Sequence, residues 1–179
     1  EGKWDGLIAG LDAKRYDVVM NEVGISPERG KKYDFSQPYI ASKAVVVVKN
    51  DNDSIHDFSD LKGKKSAQSL TSNYAQIARN YGAQLVSTDG FNQSIDLVVQ
   101  GRADATVNDK LSFLDFKKHR PDAPVKIVAS EDNASASAVL LRKGETSLQT
   151  AINDALTTLK KDGTYQKISE KYFGEDVSH

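Results

Sequence analysis

The chain predicts an α/β fold with mostly parallel sheets, arranged as two lobes. Three observations carry this. Short apolar runs alternate with segments of helical period along most of the length. The middle, roughly 46–135, reads as a complete βαβαβαβ unit. The flanks, 1–45 and 136–179, read as two parts of a second lobe, which the chain leaves and re-enters through strands near Ala44–Lys49 and Ala136–Leu141.

In order, Leu7, Ile8 and Leu11 predict a short helix with Asp5 as its cap. Asp17 to Val23 reads as a strand. Ser26-Pro27-Glu28-Arg29 is a helix start, with serine as cap and proline at the first position. Tyr33 to Tyr39 reads as a turn-rich aromatic stretch. Four consecutive valines in Ala44 to Lys49 predict a strand buried on both faces. Asp51 to Ser54 is a turn and a candidate boundary, and Leu61 to Lys64 a turn before a strand around Ala67. Ser72 caps a helix whose inner face is Tyr74, Ile77, Ala78 and Tyr81, stopped by Gly82.

Leu85-Val86 is the next strand. Phe91, Ile95, Val98 and Val99 form a helix closed by Gly101. Asp104 to Val107 is a strand, Leu111 to Leu114 opens a helix, and Val125 to Ala129 and Ala136 to Leu141 are strands. Leu148, Ala151, Ile152, Ala155, Leu156 and Leu159 give the strongest helical period in the chain. After Gly163, a last helix is expected to turn Tyr165, Ile168 and Tyr172 inward and to stop at Gly174.

Composition removes whole classes of function. The 179 residues include 24 Lys+Arg and 25 Asp+Glu, a net charge of −1, so the basic excess of a nucleic-acid binder is missing. There is no cysteine, which excludes disulfides, thiolate metal sites and cysteine nucleophiles. His56, His119 and His179 are scattered without metal-ligand spacing. Asp51-Asn52-Asp53 starts like a calcium loop but lacks its glycine and closing glutamate. No phosphate loop, dinucleotide fingerprint or nucleophile elbow occurs. The expectation is therefore no metal, no cofactor, no catalytic residue and no nucleic acid.

Two polar stations remain. Val23-Gly24-Ile25-Ser26-Pro27-Glu28-Arg29 follows one strand and ends in a cation. Asn108-Asp109 follows another and ends in an anion. Opposite charges at strand ends suit a small zwitterion such as a free amino acid. Arg29 offers a planar fork for a carboxylate; the competing reading is a solvated arginine in a helix start. Asp109 offers a partner for an ammonium where open α/β sheets bind ligands; it also fits a helix cap before Leu111. A helix start at Ser72-Asn73 would add backbone donors for the carboxylate.

These stretches, together with Trp4-Asp5-Gly6-Leu7-Ile8-Ala9-Gly10-Leu11, Tyr33-Asp34-Phe35-Ser36-Gln37-Pro38-Tyr39, Gly101-Arg102-Ala103-Asp104-Ala105 and the tail Lys161 to Gly174, resemble the polar amino-acid solute-binding proteins of ABC importers. Leu70-Thr71-Ser72-Asn73-Tyr74 and Trp4-Asp5-Gly6 look most like the cystine-binding branch. The resemblance covers nearly the whole chain and rests on the order of the motifs.

It implies a periplasmic-binding-protein fold of type II with a two-strand hinge. It also implies extracytoplasmic binding of a polar amino acid, cystine or cysteine-like, and delivery to a membrane permease. The expected place is the periplasm or the outer face of an anchoring membrane. Members of the family open with a strand, an aromatic loop and a helix before the position of Trp4, so lobe 1 is expected to be incomplete at its start, and swapping or dimerisation could replace what is missing.

The implied ligand residues are Trp4, Glu22, Val23, Gly24, Arg29, Ser69, Ser72, Asn73, Asn108 and Asp109. Trp4 would stack on the ligand side chain; its ring also suits a core or staple position. Many relatives carry a hydroxyl where this chain has Gly24, which leaves only backbone groups for the ammonium. Glu22 favours an amine-bearing ligand or points to solvent. Two alternatives share the scaffold: a dehydratase of cyclohexadienyl acids, for which Glu22 would be the general acid, and a receptor ligand-binding domain.

Overall fold

A computed structural model describes residues 4–70 and 72–178, without the side chains of Trp4 and Asp5. It divides into two compact units, Glu1–Ala41 with Ser135–His179, and Ser42–Ala134.

The first unit contains helix α1 (Trp4–Asp12), strand β1 (Val18–Gly24), helix α2 (Pro27–Lys32) and strand β2 (Tyr33–Phe35). Strand β3 (Ile40–Ser42) ends on the first residue of the second unit. The chain returns through strand β9 (Ser135–Arg142) and helices α6 (Thr146–Lys161) and α7 (Thr164–Phe173). The sheet runs β1-β9-β2, with β3 also on β9. Both β1 and β2 are antiparallel to β9, with Val19 opposite Leu140 and Phe35 opposite the same residue. Leu11, Val19, Val23 and Leu140 form its core. Arg142 ties α1 to this sheet, donating to the Leu11 carbonyl at 3.2 Å and the Tyr16 carbonyl at 2.6 Å.

The second unit holds strand β4 (Ala44–Lys49), a 3-10 turn (Phe58–Leu61), strand β5 (Lys65–Gln68), helix α3 (Asn73–Asn80), strand β6 (Gln84–Ser87) and helix α4 (Phe91–Val99). It finishes with strand β7 (Ala105–Asp109), helix α5 (Lys110–His119) and strand β8 (Val125–Ser130). The sheet order is β6-β5-β7-β4-β8. The valine run is explained by its two faces. Val45 and Val47 pack with Ile95, Val98, Phe113 and Phe116 of α4 and α5. Val46 and Val48 pack with Phe58, Leu61 and Ala78 on the side of α3. Alternate side chains of one strand thus bury into two helical layers.

Five expectations need correction. Tyr81, expected on the inner face of α3, lies just past its end and is 44% exposed. The sheets are mixed. β5 is parallel to β6 and β7, but β4 is antiparallel to β7 and β8, and the first unit's ladders are antiparallel. A 3-10 turn follows β4, so no helical crossover fixes its direction, and a two-sided apolar run looks the same in either sense. Tyr33–Phe35 is a strand, hidden by Asp34, whose carboxylate accepts from the Gly144 amide at 2.8 Å and pairs with Lys143 at 3.1 Å. The backbone of Asp5 is already inside α1.

In α7, Ile168 and Tyr172 are exposed by 49% and 52% instead of facing inward. The tail after Gly174 folds back and buries Val177. Ser169 turns inward, donating to the Glu175 carbonyl at 2.7 Å and accepting from the Val177 amide at 2.8 Å. That rotates the inward face of α7 away from Ile168 and Tyr172.

Burial pushes the Tyr165 phenol up to about 12, aided by Tyr39, Asp176 and Glu22, which disfavour the phenolate. The folded value lies above the ordinary 10.0, so this contribution to stability is complete below pH 10.0 and is lost as pH rises towards 12. Unfolding by urea across that alkaline window should show a fall in stability that Tyr165→Phe reduces. An identical pH slope in the variant contradicts the assignment.

Candidate functional site

In the first unit, the site residues sit where β1 gives way to α2. Ser26 is extended at φ −140° and caps α2, its Oγ accepting from the Arg29 amide at 3.2 Å. Arg29 then reaches back over the helix start, and its Nη1 donates to the Gly24 carbonyl at 2.8 Å. Val23 is fully buried beneath. Val23, Gly24 and Arg29 are therefore brought together at one strand end. Glu22 lies in an irregular part of β1, between the paired residues Val19 and Val23. Its φ is +52°, a costly value for a residue with a side chain. The Glu22 amide donates to the Tyr39 hydroxyl at 2.8 Å, which helps to hold that conformation. Its side chain is exposed.

In the second unit, the site is built on the divergence of β5 from β7. Their ladder pairs Ser66 with Ala105. Beyond it a side chain replaces backbone. Gln68 is 1% exposed, and its Nε2 donates to the Val107 carbonyl at 2.7 Å. Its Oε1 accepts from the Val107 amide at 2.7 Å and from Ser66 Oγ at 2.6 Å. The amide spaces the strands while satisfying both backbone groups, which would otherwise be buried without partners.

The C-terminal ends of β5 and β7 carry the polar groups. After β5, Ser69 Oγ donates to the Thr88 carbonyl at 3.3 Å, and Ser72 Oγ accepts from the Ala75 amide at 3.1 Å as cap of α3. Asn73 is the first residue of α3, and its N–H is one of those that helix geometry leaves over. After β7, the Asp109 amide donates to its neighbour Asn108 Oδ1 at 2.8 Å.

Asp109 caps α5. Its Oδ1 accepts from the Leu111 amide at 2.7 Å and from Ser42 Oγ at 2.5 Å. Its Oδ2 accepts from Tyr74 Oη at 2.8 Å. The carboxylate is thus fixed by three donors from three separate stretches. Through Tyr74 it is joined to the start of α3, so anion and helix amides form one assembly. The observed cap role of Asp109 is compatible with the site role expected of it.

Ser72, Asn73 and Asp109 are brought together in this way, with Asn108 adjoining. Ser69 is turned to Thr88. The Trp4 side chain lies outside the described residues. Sequence reasoning gave no role to Ser42, Gln68 and Tyr39, and placed Tyr74 in a helix face and in the 70–74 motif without linking it to Asp109. A glutamine closing a short strand was the available signal for Gln68; the donors to Asp109 had none, since they come from distant segments. Among the described residues no group of acids and histidines could hold a metal ion.

Residues 1–175 match the model of the bacterial extracellular solute-binding proteins, family 3, and the chain belongs to that family. A probable amino-acid ABC transporter-binding protein of Haemophilus influenzae is 46% identical over 99% of this chain and 69% of its own length. The L-cystine-binding protein TcyA of Bacillus subtilis is 47% identical over 99% of this chain and 66% of its own length. The chain thus spans about two thirds of the curated relatives it matches. Among solved structures, the L-cystine solute receptor of Neisseria gonorrhoeae, unliganded and open, is similar. It has 48% identity and a TM-score of 0.73, over 100% of this chain and 76% of that one.

Replacing Gln68 by Met keeps the volume and removes the amide. Leaving the Val107 groups unpaired should cost about 1–3 kcal/mol. Hydrogen exchange should show the Val107 amide losing protection; unchanged protection contradicts the strut.

Proposed function

We propose that this protein binds a polar amino acid outside the cytoplasm, with L-cystine as first choice, and delivers it to the permease of an ABC importer. The periplasm or an anchored position on the outer membrane face suits that task. The observation that carries the reading is the Asp109 carboxylate, held by three donors at a strand end and tied by Tyr74 to a helix start. An oriented anion beside orphan amides matches the two poles of an α-amino acid. Arg29, held on the Gly24 carbonyl, supplies the planar cation for the carboxylate. The relatives, an amino-acid ABC transporter-binding protein and an L-cystine-binding protein among them, support the ligand class and the permease.

In this proposal the lobes are about 1–45 with 136–179, and about 46–135, joined through β4 and β9. Each provides part of the grip: Val23, Gly24 and Arg29 from one, Ser69, Ser72, Asn73, Asn108 and Asp109 from the other, with Trp4 and Glu22 at the ligand side chain. A ligand that takes contacts from both favours the arrangement in which they meet, which is the physical basis of hinge closure. No step of chemistry is needed. The dehydratase alternative requires Glu22 as general acid and predicts turnover of a cyclohexadienyl acid.

Calorimetry of the full-length protein against the twenty amino acids and L-cystine tests the reading. Heat from L-cystine or another polar amino acid is expected; none from any of them rejects it. Arg29→Ala should weaken the ligand by about 2–5 kcal/mol, and Asp109→Asn by a similar amount while keeping a competent helix cap. Unchanged affinity in either variant removes that residue from the site.

A further inference from the structure

We infer that Tyr74 and Ser42 are positioning residues that leave Asp109 a single acceptor direction for the ligand ammonium. This rests on the binding role proposed above. A carboxylate has about four acceptor positions, two on each oxygen. On Oδ1 both are taken, by Ser42 Oγ at 2.5 Å and the Leu111 amide at 2.7 Å. On Oδ2 one is taken, by Tyr74 Oη at 2.8 Å. Among the described residues, one position on Oδ2 therefore remains for a ligand.

An ammonium has three hydrogens, so Asp109 accepts one and the other two must go to acceptors elsewhere. The restriction has a use. A carboxylate with both oxygens open would rotate and chelate cations of many shapes. One held by three donors presents its charge along one line and is already ordered before the ligand arrives. The donors are well placed to enforce it. Tyr74 is the second residue of α3, whose first turn is the proposed carboxylate grip, so the phenol fixes the distance between the two poles. Ser42 is the last residue of β3, where the chain enters the second unit, so the anion is also anchored to the crossing point. Both hydroxyls donate, which leaves the carboxylate as the acceptor in each bond.

A double-mutant cycle on the full-length protein, read by calorimetry with L-cystine, tests this. Tyr74→Phe should weaken binding about tenfold in the wild-type background and less than twofold in the Asp109→Asn background, because the phenol acts through the carboxylate. An equal loss in both backgrounds means that Tyr74 acts independently of Asp109 and overturns the inference, as does no loss in the wild-type background. Ser42→Ala guards against a Tyr74 variant that fails to fold. It should weaken L-cystine several-fold, and Ser42→Thr, which returns the hydroxyl, should recover most of the affinity. Equal affinities for the alanine and threonine variants overturn the role of Ser42. If the wild-type protein binds no amino acid, the proposed function falls and this role falls with it. Wild-type binding with additive substitutions removes this inference alone.

Discussion

One carboxylate organises the ends of the second unit's strands where the candidate site lies. Asp109 closes β7, caps α5, and gathers a serine from β3 and a tyrosine from α3. Each bond serves the fold and orders the candidate site at once. The cap satisfies an orphan amide of α5. The phenol docks the start of α3. The serine fastens the incoming chain. A charge tied down on three sides keeps its orientation without help from a ligand, as the proposed grip on an ammonium requires.

The sheet below makes this possible. β5 and β7 are parallel, so their C-terminal ends point the same way, and each feeds a helix start. Such ends are where polar groups of open α/β sheets converge. Gln68 adds the local device. Its buried amide takes the place of ladder hydrogen bonds and lets the strands separate without orphaned backbone. The first unit solves a similar problem differently. There the Ser26 cap holds the start of α2 through the Arg29 amide, and the Arg29 guanidinium is tied to the end of β1 through the Gly24 carbonyl.

Much of this was legible in the sequence, for reasons that can be named. Ser26-Pro27 and Ser72 announced helix starts because capping chemistry is local. The four valines announced a strand buried on both faces because burial imposes composition. The direction of β4 was not legible, since direction depends on the connection that precedes and follows it. The strand at Tyr33–Phe35 was obscured because its middle residue is an ionised aspartate held by Lys143 and Gly144 from the far end of the chain. The exposed side of α7 was misread because the tail beyond Gly174, folding back on Ser169, decides which face is covered. Asp109 was recognisable as a helix cap and a candidate site residue from its place after a strand. Its donors were not, because hydrogen bonds from residues 42 and 74 are tertiary facts.

The family assignment and the chemistry of the two strand ends point the same way, yet the weight falls on a single contact. A crystal structure of the full-length protein with L-cystine bound tests it most directly. The account predicts the α-ammonium nitrogen within hydrogen-bond distance of Asp109 Oδ2, with the Tyr74 and Ser42 bonds retained. An ammonium held elsewhere, with Asp109 still engaged only by its own three donors, would contradict it.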